Sequence, residues 1–258
     1  MKANVFARVV AVLAMLGAAG RAGAQTEGCR DFNALPDTNG ARTITEEGTY
    51  CLTDDVFLGG STGTAITINA SNVVLDLKGF HVHTWDTGDK SGIVAVDRSN
   101  VTVRNGSLSG FRFAAVNLTS SGALTAGNVV ESLQLVNNGG SGINVAGRGA
   151  LVRNNVLVET GKAFGNSWAI GLLGTGHRVI GNHIIGVRKT VGSAGPARGI
   201  WVNQCRDALL VDNTITGADI GILYDAATGV IRDNLQWSVT TPYLAVNGFG
   251  YANAGNNY

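Results

Sequence analysis

The chain has 258 residues, 19 basic against 18 acidic, and only 14% of its residues are charged. A formal charge of +1 without any charge run gives no nucleic-acid footprint, and no segment approaches the ~18 consecutive apolar residues that span a bilayer. With 37 glycines, few helix formers and many Asn, Thr, Ser and Val, the composition points to strands and turns.

The N-terminus reads as a secretory leader. Lys2 and Arg8 give a positive start, Val9 to Ala19 is apolar, and Ala22-Gly23-Ala24 is a small-residue cleavage pattern. This predicts a signal peptide over 1–24, a mature chain starting at Gln25, and export to the periplasm or the medium. Taking Lys2, Arg8 and Arg21 away from the basic residues brings the formal charge from +1 to about −2. No cysteine stands at the cleavage point, so no lipid anchor is expected. Residues 25–60 are expected to cap the open N-terminal end of the repeat region. Cys29 and Cys51 are expected to pair in an oxidising compartment and staple this segment. Cys205 is left as a small buried hydrophobe.

From 61 to 236 the chain repeats. One apolar column runs Ile66, Ile93, Val116, Ile143, Ile170, Ile200, Ile222. A second, two residues on, runs Ile68, Ala95, Leu118, Val145, Leu172, Val202, Tyr224. A third, after a turn, runs Val82, Leu108, Leu135, Leu157, Ile184, Ile215 and ends at Gln236. Steps of 21 to 31 residues mark a repeat architecture. Within each repeat the period is 2, as in Leu75-Asp76-Leu77-Lys78 and Val101-Thr102-Val103-Arg104, which is strand. Asn155, Asn182, Asn213 and Asn234 share one turn column. Asn tolerates the left-handed backbone of a tight corner, and stacked amides can bond one another. Three short strands per repeat predict an all-β, single-stranded right-handed parallel β-helix of eight or nine coils, about 40 Å long at ~4.8 Å per coil. The tail 237–258 loses the columns, carries Trp237, Tyr243, Phe249, Tyr251 and Tyr258, and is expected to cap the last coil.

The chain resembles the secreted bacterial right-handed β-helix repeat proteins of the pectate-lyase-like superfold. The resemblance lies in Gly48-Thr49-Tyr50-Cys51-Leu52-Thr53, Ala65-Ile66-Thr67-Ile68, Asn72-Val73-Val74-Leu75-Asp76-Leu77-Lys78-Gly79 and Asn100-Val101-Thr102-Val103-Arg104-Asn105-Gly106. It covers about residues 45–236 and is specific for fold rather than activity. Such relatives include polysaccharide lyases, glycoside hydrolases, uronate epimerases and adhesins. Gly176-His177-Arg178 echoes a polygalacturonase histidine motif, but the flanking Asp pair and basic motif are missing. The Asp-Pro-His-Asp pattern of alginate epimerases is absent as well.

Long gaps between the third column and the next first column hold residues 83–92, 158–169 and 185–199. They should leave the coil at one corner and form a rim, where function on a rigid scaffold usually sits. The substrate-binding candidates there are His83, Trp85, Asp86, Asp89, Lys90, Lys162, Trp168 and Lys189, with Trp201 just beyond. Indole faces stack on pyranose rings, so Trp85, Trp168 and Trp201 suggest a sugar platform. The alternative is that they pin loops to the coil. Arg offers a planar fork to a uronate carboxylate, and Glu159, Arg188 and Arg198 are the candidates for any catalysis, since lyases and hydrolases of sugars need cations or paired carboxylates. His81 and His83 at i, i+2 lack a third ligand, so no metal site is expected. Calcium stays open as a cofactor without an identified ligand cluster.

The sequence thus predicts an exported monomer that binds a polysaccharide or cell-surface glycan along the loop-bearing corner. A lyase or hydrolase acting on an acidic glycan is the alternative. A role in maturing a periplasmic metal centre is a third option, opposed by the lack of Met-rich or His-rich sets.

Overall fold

The computed structural model describes residues 28–85, 88–122, 124–161, 166–189, 195–248 and 250–258. The leader segment, Asp86, Lys162, Phe164 and Phe249 therefore lie outside the described residues. The described chain is a β-helix wound right-handed. Three parallel sheets run along it, each strand pairing with its equivalent one coil away.

The apolar columns are the register of the sheets. In the first sheet Ile93 pairs with Val116, Val116 with Ile143, Ile143 with Ile170, Ile170 with Ile200, and Ile200 with Ile222. The third sheet pairs Val82 with Leu108, Leu108 with Leu135, Leu135 with Leu157, Leu157 with Ile184, Ile184 with Ile215, and Ile215 with Gln236. The second sheet lies between them and carries Val73–Asp76, Leu151–Arg153, Arg178–Ile180 and Ala208–Val211. Because side chains alternate across a strand, each column faces inward. Ile66, Ile93, Val116, Leu108, Ile143, Ile170 and Ile200 are fully buried, so the interior is a packed core rather than a channel.

The corner after the second sheet is held by an amide ladder. Asn155 Nδ2 donates to Asn182 Oδ1 at 2.9 Å, Asn182 to Asn213 at 3.0 Å, Asn213 to Asn234 at 2.9 Å, and Asn234 to Asn257 at 3.1 Å. The first four are at most 1% exposed. The left-handed conformation falls one residue earlier than the sequence suggests, on Asn154, Gly181, Asp212 and Asp233. That residue makes the bend, which frees the following Asn to turn its amide inward.

Cys29 and Cys51 form a disulfide across a separation of 22 residues, and Arg30–Asp31 pairs in parallel with Gly48–Cys51. An antiparallel pair, Asp37–Thr38 with Ala41–Ile44, turns through Asn39 and Gly40, both at positive φ. The tail does not leave the columns. Leu235–Val246 pairs along Thr214–Asp225, with Tyr243 beside Ile222, and Tyr251–Asn253 pairs with Gly229–Arg232. Tyr243 and Tyr251 pack ring to ring (5.9 Å), and Tyr251 sits 5.3 Å from Tyr224. Aromatic bulk there replaces the aliphatic columns, which is why the sequence pattern fades while the winding continues.

The three long connections each join a third-sheet strand to a first-sheet strand: His81–Thr84 to Asp89–Val96, Val156–Thr160 to Ser167–Thr175, and His183–Val187 to Ala197–Arg206. Their described ends thus lie at one edge of the coil, beside the outer face of the first sheet.

Candidate functional site

That outer face carries the candidate site. Between the inward residues of the first sheet one outward row runs Val94, Asn117, Asn144, Gly171, Trp201, Leu223 from coil to coil. A parallel row runs Ala114, Ser141, Trp168, Arg198, Ile220. Trp168 and Arg198, expected in loops, are strand residues, because the strands Ser167–Thr175 and Ala197–Arg206 begin earlier than their apolar columns. Rigid strands, not loops, hold the two groups.

Gly171 arranges the tryptophans. It is the one member of its row without a side chain, and a Cβ there would lie 2.6 Å from the Trp168 Nε1 and 2.8 Å from Asn144 Oδ1. The gap lets the Trp168 indole fold across the row and donate to Asn144 Oδ1 at 2.6 Å. An indole N–H can only donate, so this bond fixes which end of the Asn144 amide is oxygen. Asn144 Nδ2 then donates to Asn117 Oδ1 (3.2 Å) and Ser141 Oγ (2.8 Å). Trp201, one coil on, meets Trp168 edge-on at 4.7 Å and 60°. The Arg198 guanidinium sits 5.0 Å from the centre of the Trp201 ring.

Two contiguous hollows of about 270 and 720 Å³ share Asn117, Asn144, Trp168 and Trp201 and together form an open groove. Phe113, Ser91 and Asn166 line its one end, and Leu172, Leu173 and Asn203 the other. The lining is apolar faces interleaved with amides and hydroxyls. Its single charged group is Arg198; no carboxylate or imidazole lines it among the described residues. Burial holds the Arg198 pKa below the ordinary guanidinium value, with the Asp225 charge opposing that shift. Arg198 Nε and Nη1 and Trp201 Nε1 are shielded and have no hydrogen-bond acceptor among the described residues.

The other candidates lie elsewhere. Glu159 and Arg188 form a two-point ion pair, Nη2 to Oε1 at 2.7 Å and Nε to Oε2 at 2.5 Å, and neither lines the groove. Asp89 pairs with Arg112, and Lys189 with Asp219 at 3.0 Å. Lys90 is 1% exposed and donates to Thr84 Oγ1 at 2.7 Å. Trp85, 70% exposed, stands edge-on to Phe57 at 5.4 Å, and His83 tilts onto the same ring at 5.2 Å. Asn117, Asn144 and Ser141 do not stand out in the sequence by residue type. Their signal is parity: Asn117, Asn144, Gly171 and Trp201 each sit between the first and second columns of successive repeats.

The histidines do not assemble. His81 and His83 stack at 4.6 Å and 15°, and His81 Nε2 contacts Ser109 Oγ at 2.9 Å. Burial, then the neighbouring His83, pulls the His81 pKa down. His177 is buried with both ring nitrogens used: Ala150 N–H donates to Nδ1 and Nε2 bonds Leu173 O. Burial lowers its pKa too. The Cys205 thiol is buried and pushed up to about 12 by that burial. No group of three or more His, Cys, Asp or Glu suited to a metal occurs among the described residues.

No helix among the described residues is long and apolar enough to cross a membrane. No curated protein sequence matches the chain. Among solved structures, the enzymatically active domain of bacteriophage CBA120 tailspike protein 2 is similar at a TM-score of 0.58 and 14% identity. The match covers 83% of this chain and 37% of that one, so the chain spans little more than a third of its structural neighbour. At that identity the likeness is one of fold. The profile of the NosD family, described as "Periplasmic copper-binding protein (NosD)", matches residues 43–239, and with most of its length inside that match the chain belongs to the NosD family.

Proposed function

We propose that this exported β-helix protein binds polysaccharide in the groove on the outer face of its first sheet. The observation that carries the reading is the Trp168–Trp201 pair, fixed by Gly171 and Asn144 and flanked by Asn117, Ser141 and Asn203. Flat apolar faces beside oriented amides suit a sugar, whose ring has an apolar face and a hydroxyl rim. Preformed strand positions lower the ordering cost of binding.

The lining supports binding over glycoside hydrolysis. Glycoside hydrolysis needs two carboxylates about 5–10 Å apart, and the groove offers none among the described residues. Glu159 is committed to Arg188. The test is retention on a polysaccharide panel in affinity electrophoresis. Trp168→Ala and Trp201→Ala are expected to weaken retention at least tenfold with an unchanged circular dichroism spectrum. Retention unaffected by both overturns the groove, and new reducing ends or unsaturated-uronate absorbance overturn binding without cleavage.

The family description also raises copper, and the described residues do not fit it. Metal–imidazole bonds of about 2.0–2.1 Å require converging lone pairs. The near-parallel rings of His81 and His83 point their in-plane lone pairs side by side instead. His177 has no free nitrogen, and Cys205 is buried as a thiol.

A further inference from the structure

We propose that the groove selects glycans bearing an anionic group, a uronate carboxylate or a sulfate ester, and that Arg198 and Trp201 together read it. The inference rests on the groove being the polysaccharide site and names the class of sugar it takes.

Donors outnumber acceptors at this point of the groove. Arg198 Nε, Arg198 Nη1 and Trp201 Nε1 are shielded from solvent within one neighbourhood, the guanidinium lying 5.0 Å from the indole ring. None of the three has an acceptor among the described residues. A shielded donor left unbonded is costly, and more so when it is charged. A sugar hydroxyl brings at most two lone pairs and a proton of its own. An ionised carboxylate or sulfate brings several acceptor oxygens and no proton, so it can serve more than one of these donors where a hydroxyl must also place its own hydrogen.

The surroundings agree. Three cations of the neighbouring loop-bearing corner are committed to carboxylates: Arg112 to Asp89, Arg188 to Glu159, Lys189 to Asp219. No described carboxylate lines the groove to compete for Arg198 or to repel an acidic chain. The acid whose charge Arg198 feels, Asp225, stands one coil beyond Asn203 and accepts from Asn247. Arg198 is also fixed in place, in a strand between Trp168 and Ile220 rather than on a loop.

The experiment compares polygalacturonate and alginate with their methyl esters, and dextran sulfate with dextran, by affinity electrophoresis and calorimetry. The ester and dextran arms keep the chain and remove the charge. At least one acidic chain is expected to bind ten or more times tighter than its neutral counterpart, with an affinity that falls as salt rises. Arg198→Gln is expected to shrink that ratio below threefold, and Arg198→Lys to restore only part of it. Trp201→Phe, which keeps a ring and removes the N–H, should lower the ratio several-fold and covers the case in which Arg198→Gln fails to fold. Preference for the sulfated chain over the uronates, or the reverse, identifies the anion. If acidic and neutral chains bind alike and Trp168→Ala loses both, the charge reading is overturned while the groove stands. An acid-to-neutral ratio unchanged in Arg198→Gln and Trp201→Phe overturns it as well. Retention of no chain at all overturns the groove and the inference together.

Discussion

The Trp168 indole crosses its own strand to bond Asn144 one coil back, at 2.6 Å. This sets the shape of the groove, and it is possible only because Gly171 has no side chain. Gly171→Ala puts a methyl 2.6 Å from the Trp168 Nε1 and must expel the indole or shift the strand. Overpacking of this kind costs about 1–3 kcal/mol. The expected outcome is a modest loss of melting temperature, a red-shifted Trp emission and a loss of polysaccharide retention comparable to Trp168→Ala. Retention equal to the parent protein counts against a preset indole.

Asn144→Leu keeps the bulk of the side chain and removes the acceptor for Trp168 and the donor to Asn117 and Ser141. Retention is expected to fall five- to twentyfold while the melt shifts little, since the row lies on a solvent-facing surface and single hydrogen bonds there contribute about 1 kcal/mol. Unfolding of this variant would move Asn144 from the site to the scaffold.

Asn182→Ala interrupts the amide ladder. It strips Asn155 of the oxygen that receives both its backbone and side-chain N–H, and Asn213 and Val152 of a donor. Each buried group left unbonded costs roughly 1–3 kcal/mol, so a loss on the order of 4 kcal/mol is expected. Denaturant melts of Asn182→Ala and of the exposed Asn247→Ala make the comparison. Equal losses would deny the ladder its structural role.

Reduction of Cys29–Cys51 releases a loop of 22 residues, which corresponds to about 3 kcal/mol in the chain-entropy account. Melts with and without reductant should differ by that order. Arg30, Phe32 and Tyr50 amides are expected to lose exchange protection first, and groove binding should persist.

Acid should weaken the fold in two stages. His177 is buried and its pKa is lowered by that burial. The unfolded chain therefore takes up a proton near pH 6.5 that the folded chain refuses, and stability declines as pH drops below ~6.5. For Asp76, burial pushes the pKa up, but the Lys78 N–H, the Asn105 amide and the charges of Lys78 and Arg104 outweigh it and hold the carboxyl low. Its contribution is present above ~3.9 and is lost as pH falls from there through the folded value. Denaturant midpoints from pH 8 to pH 3 should show both declines, with Asp76→Asn reducing the second, to which Asp219 also contributes. A single decline confined below pH 4 would mean that neither His177 nor His81, whose pKa is lowered as well, sets an upper stage.

The winding was legible because a solenoid writes its register into the chain. Ile93, Val116, Ile143, Ile170, Ile200 and Ile222 are spaced by sequence and paired in space. The Cys29–Cys51 bond followed from an oxidising compartment and proximity to one segment. The candidate site was only half legible as a cluster. Trp168, Trp201 and Arg198 stand out by residue type, whereas Asn117, Asn144 and Gly171 look like ordinary turn-formers. Their role depends on sitting at one outward parity in adjacent coils, and on a missing Cβ that only coordinates reveal as room for an indole. The tail misled for the opposite reason. Tyr243 and Tyr251 keep the winding with side chains unlike the columns before them.

The asparagine ladder joins Asn155 to Asn257, while the disulfide clamps the other end of the rod. Neither device reaches the coils around Val103 and Leu118. Those coils are tied by separate side-chain bonds instead, Asn100 to Asn72, Arg104 to Asp76 and Asn138 to Leu108, and both tryptophans of the groove stand on the side of the continuous ladder. Fraying from the N-terminal end would disturb Asn117 before it reached Trp168 or Trp201, so the proposed indole platform is the half of the groove slower to come apart from that side.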